Sequence, residues 1–154
     1  MEISGTYTFN AAPERVWRLL MNPVVLSSCI PGCERFDPDG DDRYTVTLTI
    51  GIAAITGTYT GTVQLVEKIE PSSYRLVVEG QGRPGFVKGS SAITLTAEGD
   101  TTAVHVTGTV QTGGPIARVG QRLIGGVAKM MMDRFFKCLQ SKTGGDTSKS
   151  ITLA

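Results

Sequence analysis

The stretch 113–140, GGPIARVGQRLIGGVAKMMMDRFFKCLQ, marks the point where the hydrophobic pattern changes from a period of two to a period of about 3.6 residues. Gly113 and Gly114 end the alternating pattern, and Pro115 suits the first turn of a helix. We expect one long helix from residue 115 to about residue 141. Its apolar stripe, which predicts the face turned toward the core, consists of Ile116, Leu123, Ile124, Val127 and Met131.

Residues 34–111, upstream of this helix, carry the alternating pattern of β-strands. Tyr44, Val46, Leu48 and Ile50, for example, alternate with threonines. Turns that contain Gly or Pro divide the region into about six strands. One apolar face opposite one polar face is typical of an antiparallel sheet.

The beginning of the chain predicts a strand followed by a helix in two pieces. Residues 2–9 alternate like a strand, and Pro13 suits a helix start. Pro23 must interrupt that helix and begin a second short one, which ends before Pro31.

The order of these elements indicates the α+β class. A sheet with one apolar face and a long amphipathic helix bury each other when the sheet curls around the helix. This is the helix-grip arrangement: a curved antiparallel sheet of about seven strands around a long C-terminal helix, with two short helices after the first strand. We expect one such domain over residues 1–141 and a disordered polar tail over residues 142–154. The space between sheet and helix, closed at one end by the short helices, predicts a concave apolar ligand site.

Composition and charge exclude several classes of function. Fifteen basic and fourteen acidic residues give a net charge of +1 without a basic stripe, so nucleic acid is not a predicted partner. The apolar stretches are too short to cross a bilayer, and the N-terminus does not read as a secretory signal. Three cysteines in such a chain predict reduced thiols in the cytoplasm.

Three motifs in order carry a resemblance to a known family. They are the stretch 29–34 (CIPGCE), the stretch 85–90 (GFVKGS) and the stretch 119–128 (VGQRLIGGVA). Together they resemble the carbon monoxide dehydrogenase CoxG family of the Bet v 1/START-like (SRPBCC) superfamily, over roughly residues 2–141. The resemblance implies a helix-grip fold and a non-catalytic role beside a molybdenum-containing CO dehydrogenase or a related hydroxylase. It also implies a cytoplasmic protein at the inner face of the membrane, with a respiratory quinone such as menaquinone, or a lipid, in its cavity and no intrinsic cofactor.

The cavity wall can be predicted from the inward positions of each element. Gly120 is expected to open space beneath the helix. The predicted wall residues are Leu20, Leu26, Ile30, Tyr44, Val46, Leu48, Tyr59, Val63, Phe86, Ile116, Val119, Gly120, Leu123, Val127 and Met131.

Two apolar loops are candidates for a portal that contacts a membrane or a partner. The stretch 50–55 lies between two strands without Asn, Asp or Pro, so it forms either an exposed apolar tip at Ile50, Ile52 and Ile55 or a buried bend. Phe86, between two glycines, is the second candidate tip. Arg43, Tyr44 or Tyr59 near the mouth are candidates for binding the polar end of a ligand.

The residues with chemical potential favour binding over catalysis. Cys29 and Cys33 are interpreted as packed thiols, with a reversible disulfide between them as the alternative, and a metal site lacks enough ligands. His105 stands alone on the polar face of a strand, so no catalytic residue is predicted. Two other functions stay open: a pure assembly or membrane-recruitment factor without a ligand, and a helix-grip enzyme of the cyclase type.

Overall fold

The elements follow the predicted order in a computed structural model that describes residues 1–52 and 55–143. The long strands alternate inward apolar and outward polar residues, and each short helix begins at a proline. The strands are β1 (Glu2–Phe9), β2 (Cys33–Pro38), β3 (Arg43–Ile50), β4 (Gly57–Ile69), β5 (Ser73–Gly82), β6 (Gly85–Glu98) and β7 (Thr101–Gly113). The helices are α1 (Pro13–Leu20), α2 (Pro23–Cys29), a 3-10 helix (Pro115–Val119) and α3 (Gln121–Thr143).

The seven strands form one antiparallel sheet in the order β1-β7-β6-β5-β4-β3-β2. From β2 to β7, each strand pairs with the next one in the sequence. Strand β1 pairs with β7 and forms an edge of the sheet. Helix α3 contacts β1, α1 and α2. The predicted helix-grip fold with about seven strands and a long C-terminal helix is therefore confirmed.

The two short helices, which we call the lid, are joined by a tight connection at Asn22. The Asn22 side chain accepts hydrogen bonds from the backbone N–H groups of Val24 (2.9 Å) and Val25 (3.4 Å). This is the standard way to satisfy the free donors at a helix start. Pro23 at the first turn of α2 makes the chain break its helix here, as the sequence predicts.

The last helix is shorter and later than predicted. Residues 115–119 form a 3-10 helix, and Gly120 has φ of +93°, a left-handed conformation that ends it before α3 starts at Gln121. Helix α3 continues to Thr143, so residues 142 and 143 are helical rather than part of a disordered tail. Residues 144–154 of that predicted tail lie outside the described residues.

The interior packs as two separate apolar clusters. We call the first the lid cluster: it joins the lid to β1, the sheet and the end of α3, and includes Phe9, Val16, Trp17, Leu20, Tyr74, Phe136 and Leu139. We call the second the distal cluster, which is smaller and consists of Ile55, Tyr59, Ile116, Ile124 and Val127.

The cysteines pair differently from both sequence interpretations. Cys29 at the end of α2 forms a disulfide with Cys138 of α3, with a Cα–Cα distance of 5.4 Å, and Cys33 is the free thiol. The prediction of reduced thiols is therefore wrong for Cys29 and Cys138 and correct for Cys33, and the alternative Cys29–Cys33 bridge is wrong. The lid folds back onto the end of α3, which brings together two cysteines that are 109 residues apart in sequence.

Candidate ligand-binding cavity

A cavity of about 410 Å³ lies between the sheet and α3, and both the lid cluster and the distal cluster contribute to its wall. Its volume falls in the range of small-molecule sites, roughly 300–1,000 Å³. Each of the strands β1 to β7 contributes residues to the wall, as do the lid, the 3-10 helix and α3.

Glycines on the inner face of the sheet help to make this space. Gly61 and Gly80 are opposite each other on β4 and β5, and Gly89 lies on β6; all three line the cavity. A Cβ atom at Gly61 would collide with the backbone of Glu79, so the strands approach too closely there for any side chain. At Gly80 a Cβ would meet only the Thr60 carbonyl oxygen, at 4.0 Å. The interior beside Gly80 is therefore open.

Many inward apolar side chains are only half buried although they point toward the interior. Leu48, Val63, Leu76 and Val78 all line the cavity and all keep part of their surface accessible. Apolar groups in a filled core are close-packed, whereas these lack partners on their inner side. The middle of the sheet therefore has an apolar surface that residues 1–52 and 55–143 do not cover.

Most of the predicted wall residues lie on the wall of this cavity. Leu20, Leu26 and Ile30 contribute from the lid and the segment after it. The others that line it are Val46, Leu48, Tyr59, Val63, Ile116, Val127 and Met131.

Five predicted wall residues do not line the cavity. Tyr44 stacks on Phe36 with ring centroids 4.6 Å apart, and Phe36 takes the wall position. Phe86 points the other way: it is 42% exposed and its ring covers Gly113, while the next residue, Val87, faces the cavity.

The other three belong to the start of the last helix. Val119 and Leu123 pack beside the distal cluster, off the cavity wall. Gly120 is exposed, and a Cβ there would contact nothing within 4 Å, so it does not open space beneath the helix. Val119 and Gly120 belong to the 3-10 helix and its end rather than to a continuous helix, whereas Ile124 and Val127 of the predicted stripe do line the cavity.

The stretch between β3 and β4 turns inward at its described residues. Ile55 is buried (3% exposed) in the distal cluster, and Ile50 and Ile52 are partly buried against it. Tyr59 donates a hydrogen bond of 2.8 Å from its hydroxyl to the Ile55 carbonyl, which fixes the stretch over the end of the cavity. The sequence left two alternatives for this stretch, an exposed apolar tip or a buried bend, and Ile55 lies in a buried bend. Ala53 and Ala54 lie outside the described residues.

The sequence interpretation missed a second part of the wall on α3. Met132, Phe135 and Phe136 line the cavity, and Phe136 stacks on Tyr7 of β1 with centroids 4.3 Å apart. Phe136 lies nearly opposite Val127 around α3, so no single apolar stripe contains both residues. The lid and β1 pack against the end of α3 and bury the side that carries Phe136 and Leu139, and no local signal in the sequence shows this.

Polar groups are few on the wall and differ from those expected. Arg43 forms an exposed ion pair with Asp39 (3.3 Å) and does not line the cavity. The Tyr59 hydroxyl already donates its hydrogen bond to the Ile55 carbonyl. The only acidic or basic residue among the described wall residues is Glu79 on β5, which is exposed on the outer side of the sheet beside Gly80.

The residues considered for catalysis or metal binding are dispersed. His105 lies on β7, where its Nδ1 is 3.2 Å from the Thr6 hydroxyl on β1, and it does not line the cavity. Among residues 1–52 and 55–143, no group of three or more His, Cys, Asp or Glu residues could hold a metal ion. No helix within those residues is long and apolar enough to cross a membrane.

Comparison with solved structures defines the class of the fold. The chain is similar to a START superfamily protein from Mycobacterium smegmatis (TM-score 0.71, 12% identity, 95% of this chain and 99% of that chain). It also resembles a Thermus thermophilus protein (TM-score 0.70, 16% identity, 96% of this chain and 100% of that chain). The fold is thus a START-like helix-grip fold with an apolar cavity.

Sequence comparison defines the family within that class. The model of the CoxG family, which is described as a carbon monoxide dehydrogenase subunit, matches residues 5–144. The chain belongs to this family, so the resemblance carried by the three motifs is confirmed. A conserved protein from Geobacillus kaustophilus is 36% identical, with a TM-score of 0.91 over 96% of this chain and 98% of that chain. No curated protein matches the chain.

Proposed function

We propose that this protein is a non-catalytic carrier that holds a neutral, largely apolar molecule between its sheet and α3. The observation that carries the proposal is the uncovered apolar surface formed by Leu48, Val63, Leu76 and Val78 around a cavity of about 410 Å³. A wall of this composition stabilises a ligand by about 0.8 kcal/mol for each CH₂ group that leaves water. It offers no paired acid and base for turnover among the described residues.

The ligand that fits best is a respiratory quinone, such as menaquinone, or another isoprenoid or lipid of similar polarity. An isoprenoid tail gains nearly the same free energy in a bilayer as in an apolar cavity, because both remove it from water. Transfer from a membrane is then close to neutral and can run in both directions. Such exchange requires contact with the membrane surface, and we place the protein in the cytoplasm, at the inner face of the cytoplasmic membrane, on the basis of its family.

The partner proposed for the carrier is a molybdenum-containing CO dehydrogenase or a related hydroxylase. Membership of the CoxG family supports this partner, since the family is described by its association with CO dehydrogenase. A quinone carried to such an enzyme would accept its electrons, and the carrier would link the enzyme to the membrane without spanning it.

The test begins with the protein purified from quinone-containing cells. Solvent extraction and mass spectrometry should recover a quinone or lipid, and the emptied protein should bind added phylloquinone. Replacement of Gly80 by Leu is the sharpest variant, because the added side chain would enter the open space beside Gly80 without backbone strain. We expect Gly80→Leu to weaken phylloquinone binding at least tenfold while the protein stays folded.

The matched control is Gln81→Leu. Gln81 is the next residue on β5, exposed on the opposite face of the sheet, and it receives the same new side chain. It should bind phylloquinone like the wild type. The carrier proposal fails if Gly80→Leu binds phylloquinone as well as Gln81→Leu does. It also fails if extraction of the wild-type protein yields no quinone or lipid and the protein binds no added apolar probe. A pure assembly factor would then be the better description.

A further inference from the structure

The Tyr74 hydroxyl is a buried polar group without a hydrogen-bond partner in the part of the chain that the structure describes. Tyr74 on β5 is 6% exposed and lines the cavity beside the lid cluster. Burial raises the pKa of this phenol, and no hydrogen bond within residues 1–52 or 55–143 contributes to the shift. Buried hydroxyls in native proteins nearly always have a hydrogen-bond partner. An oxygen atom of a bound ligand would satisfy this donor.

Two neighbours fix the position of this tyrosine. Trp17 of the lid packs edge-on against its ring, with centroids 5.6 Å apart and planes at 90°. On the sheet, Tyr74 is opposite Ile93 of β6. The contact with Trp17 and the strand pairing together place the ring, and with it the hydroxyl, at the lid end of the cavity.

A second hydroxyl lies diagonally across the strand pair. Ser91 of β6 is two residues before Ile93, faces the cavity and lies over Gly108 of β7. Diagonal neighbours in an antiparallel pair are about 7–8 Å apart, a gap that one ligand oxygen can bridge when one partner is as long as tyrosine. Thr60, Thr62 and Thr109 also border the cavity, but each flanks an inward glycine and sits at an outward position of its strand.

The charge of the wall limits which ligand end can reach these hydroxyls. No Lys, Arg or His lines the cavity among the described residues. A carboxylate or phosphate placed there would be a buried charge without a counter-ion, which is strongly unfavourable. A carbonyl, ether or hydroxyl oxygen needs only a donor, and Tyr74 supplies one.

We propose that Tyr74, assisted by Ser91, is the hydrogen-bond anchor for an uncharged oxygen of the cavity ligand, which enters polar end first. The polar end then lies against the lid cluster, and the apolar remainder runs toward Ile55 and Ile116 of the distal cluster. This inference rests on the proposed function, since it names the chemistry and orientation of the ligand in the same cavity. It replaces Tyr59, whose hydroxyl is already bonded to the chain.

The test uses Tyr74→Phe, which removes only the hydroxyl, and three probes: phylloquinone, the hydrocarbon squalene and the anion palmitate. The single tryptophan, Trp17, lies beside Tyr74 and reports quinone binding by fluorescence quenching. We expect Tyr74→Phe to weaken phylloquinone binding about threefold to tenfold, the size of one hydrogen bond. Squalene binding, measured by displacement of an apolar dye, should be unchanged, and palmitate should bind more weakly than phylloquinone in every form.

Two further readouts separate a ligand anchor from a structural role. The ligand-free Tyr74→Phe protein should melt at the same or a higher temperature, because the lost hydroxyl had no partner. The infrared carbonyl band of bound phylloquinone should lie lower in the wild type than in Tyr74→Phe. Tyr44→Phe is the matched control, since Tyr44 stacks on Phe36 outside the cavity, and it should change neither binding nor the band.

The outcomes distinguish this inference from the carrier proposal. If the wild type binds phylloquinone and squalene and Tyr74→Phe binds both equally well with an unshifted carbonyl band, the anchor is wrong and the carrier stands. Tighter binding of palmitate than of phylloquinone would also overturn the anchor. If the wild type binds none of the three probes, the carrier proposal and the anchor fail together.

Discussion

The two ends of the cavity are closed by different kinds of structure. At the lid end, regular elements pack on one another: Phe9 of β1, Val16 of α1 and Leu139 of α3 are all fully buried. At the distal end, Ile55 and Ile116 come from connecting segments, an isolated turn and a 3-10 helix. The lid end is thus a conventional core, while the distal end is a cap made of short pieces.

The backbone reinforces this difference. The disulfide between Cys29 and Cys138 ties the lid to α3. The 3-10 helix, in contrast, is bounded by Gly114 (φ +79°) and Gly120 (φ +93°), two positions where an L-residue would be strained. A carrier needs one end that stays closed and one that exchanges its ligand, and we expect exchange at the distal end. Four pairs of variants test this comparison.

The largest expected effect is from deleting packed side chains at each end. Leu139→Ala should lower the free energy of unfolding by about 2–5 kcal/mol, because it leaves a cavity in a filled core. Ile116→Ala should cost clearly less, because Ile116 already borders an open cavity and loses fewer contacts. Urea denaturation of both proteins measures the difference. Equal losses would show that the two ends are equally packed, against the comparison.

The second effect concerns the disulfide. The bridge joins residues 109 apart in sequence, so Cys138→Ser should lower the stability of the oxidised protein by roughly 2–4 kcal/mol. A reductant should remove most of the difference between the two proteins. Cys33→Ser is the control and should leave stability nearly unchanged, because Cys33 is the free thiol. Thiol titration should find one free thiol in the oxidised wild type, and three free thiols without reduction would contradict the pairing.

The third effect compares two glycines near the distal end. Gly120→Ala should lower stability by about 1 kcal/mol, because alanine is strained at positive φ. Gly126→Ala, in the exposed face of α3 with open space around it, should instead raise stability by about 0.5–1 kcal/mol. Thermal melts of the two variants show whether each substitution raises or lowers stability. Two changes of the same sign would mean that Gly120 does not hold the break before α3.

The fold could be predicted from the sequence because its signals are local. The alternation in the strands and the prolines at 13 and 23 each act within a few residues. Most of the cavity wall followed, since alternation alone places Val46, Leu48 and Val63 inward. The predictions that failed depended on contacts between residues distant in sequence. Phe136 was missed because the lid and β1 bury a different side of α3 near its end, and the Cys29–Cys138 pair likewise requires the three-dimensional position of the lid.

The role of Tyr74 could not be predicted from the sequence for a related reason. In the sequence Tyr74 is one more inward residue of an alternating strand, like Tyr44 and Tyr59. Their different roles depend on partners: Tyr44 has Phe36, Tyr59 has the Ile55 carbonyl, and Tyr74 has no partner for its hydroxyl among the described residues. Pattern identifies which face a side chain is on, but only packing shows whether its polar atom is free.

The smallest expected effect lies at the border of the lid cluster, where α3 meets the edge strand β1. The Tyr7 hydroxyl donates to Asp133 Oδ1 (2.6 Å), and Lys129 Nζ donates to the same oxygen (2.7 Å). These hydrogen bonds, first from Lys129 and then from Tyr7, lower the pKa of the Asp133 carboxyl below 3.8. Because the folded-state pKa is lowered, the stabilisation is present at neutral pH and is lost as the pH falls through the folded pKa.

Asp133→Asn should therefore reduce the melting temperature slightly at neutral pH, and the difference from the wild type should shrink as the pH falls below 3.8 and vanish below the lowered pKa of the folded state. The effect is small because the carboxylate is exposed and solvent screens its ion pair. The matched control is the same substitution made in the Tyr7→Phe protein. In that protein Asp133→Asn should lower the melting temperature by less, because one of the two hydrogen-bond donors to Asp133 is already absent. A melting-temperature difference that persists undiminished in acid would show that Asp133 acts through packing rather than through its charge. In that case the contact between α3 and β1 would contribute through packing and would not depend on pH.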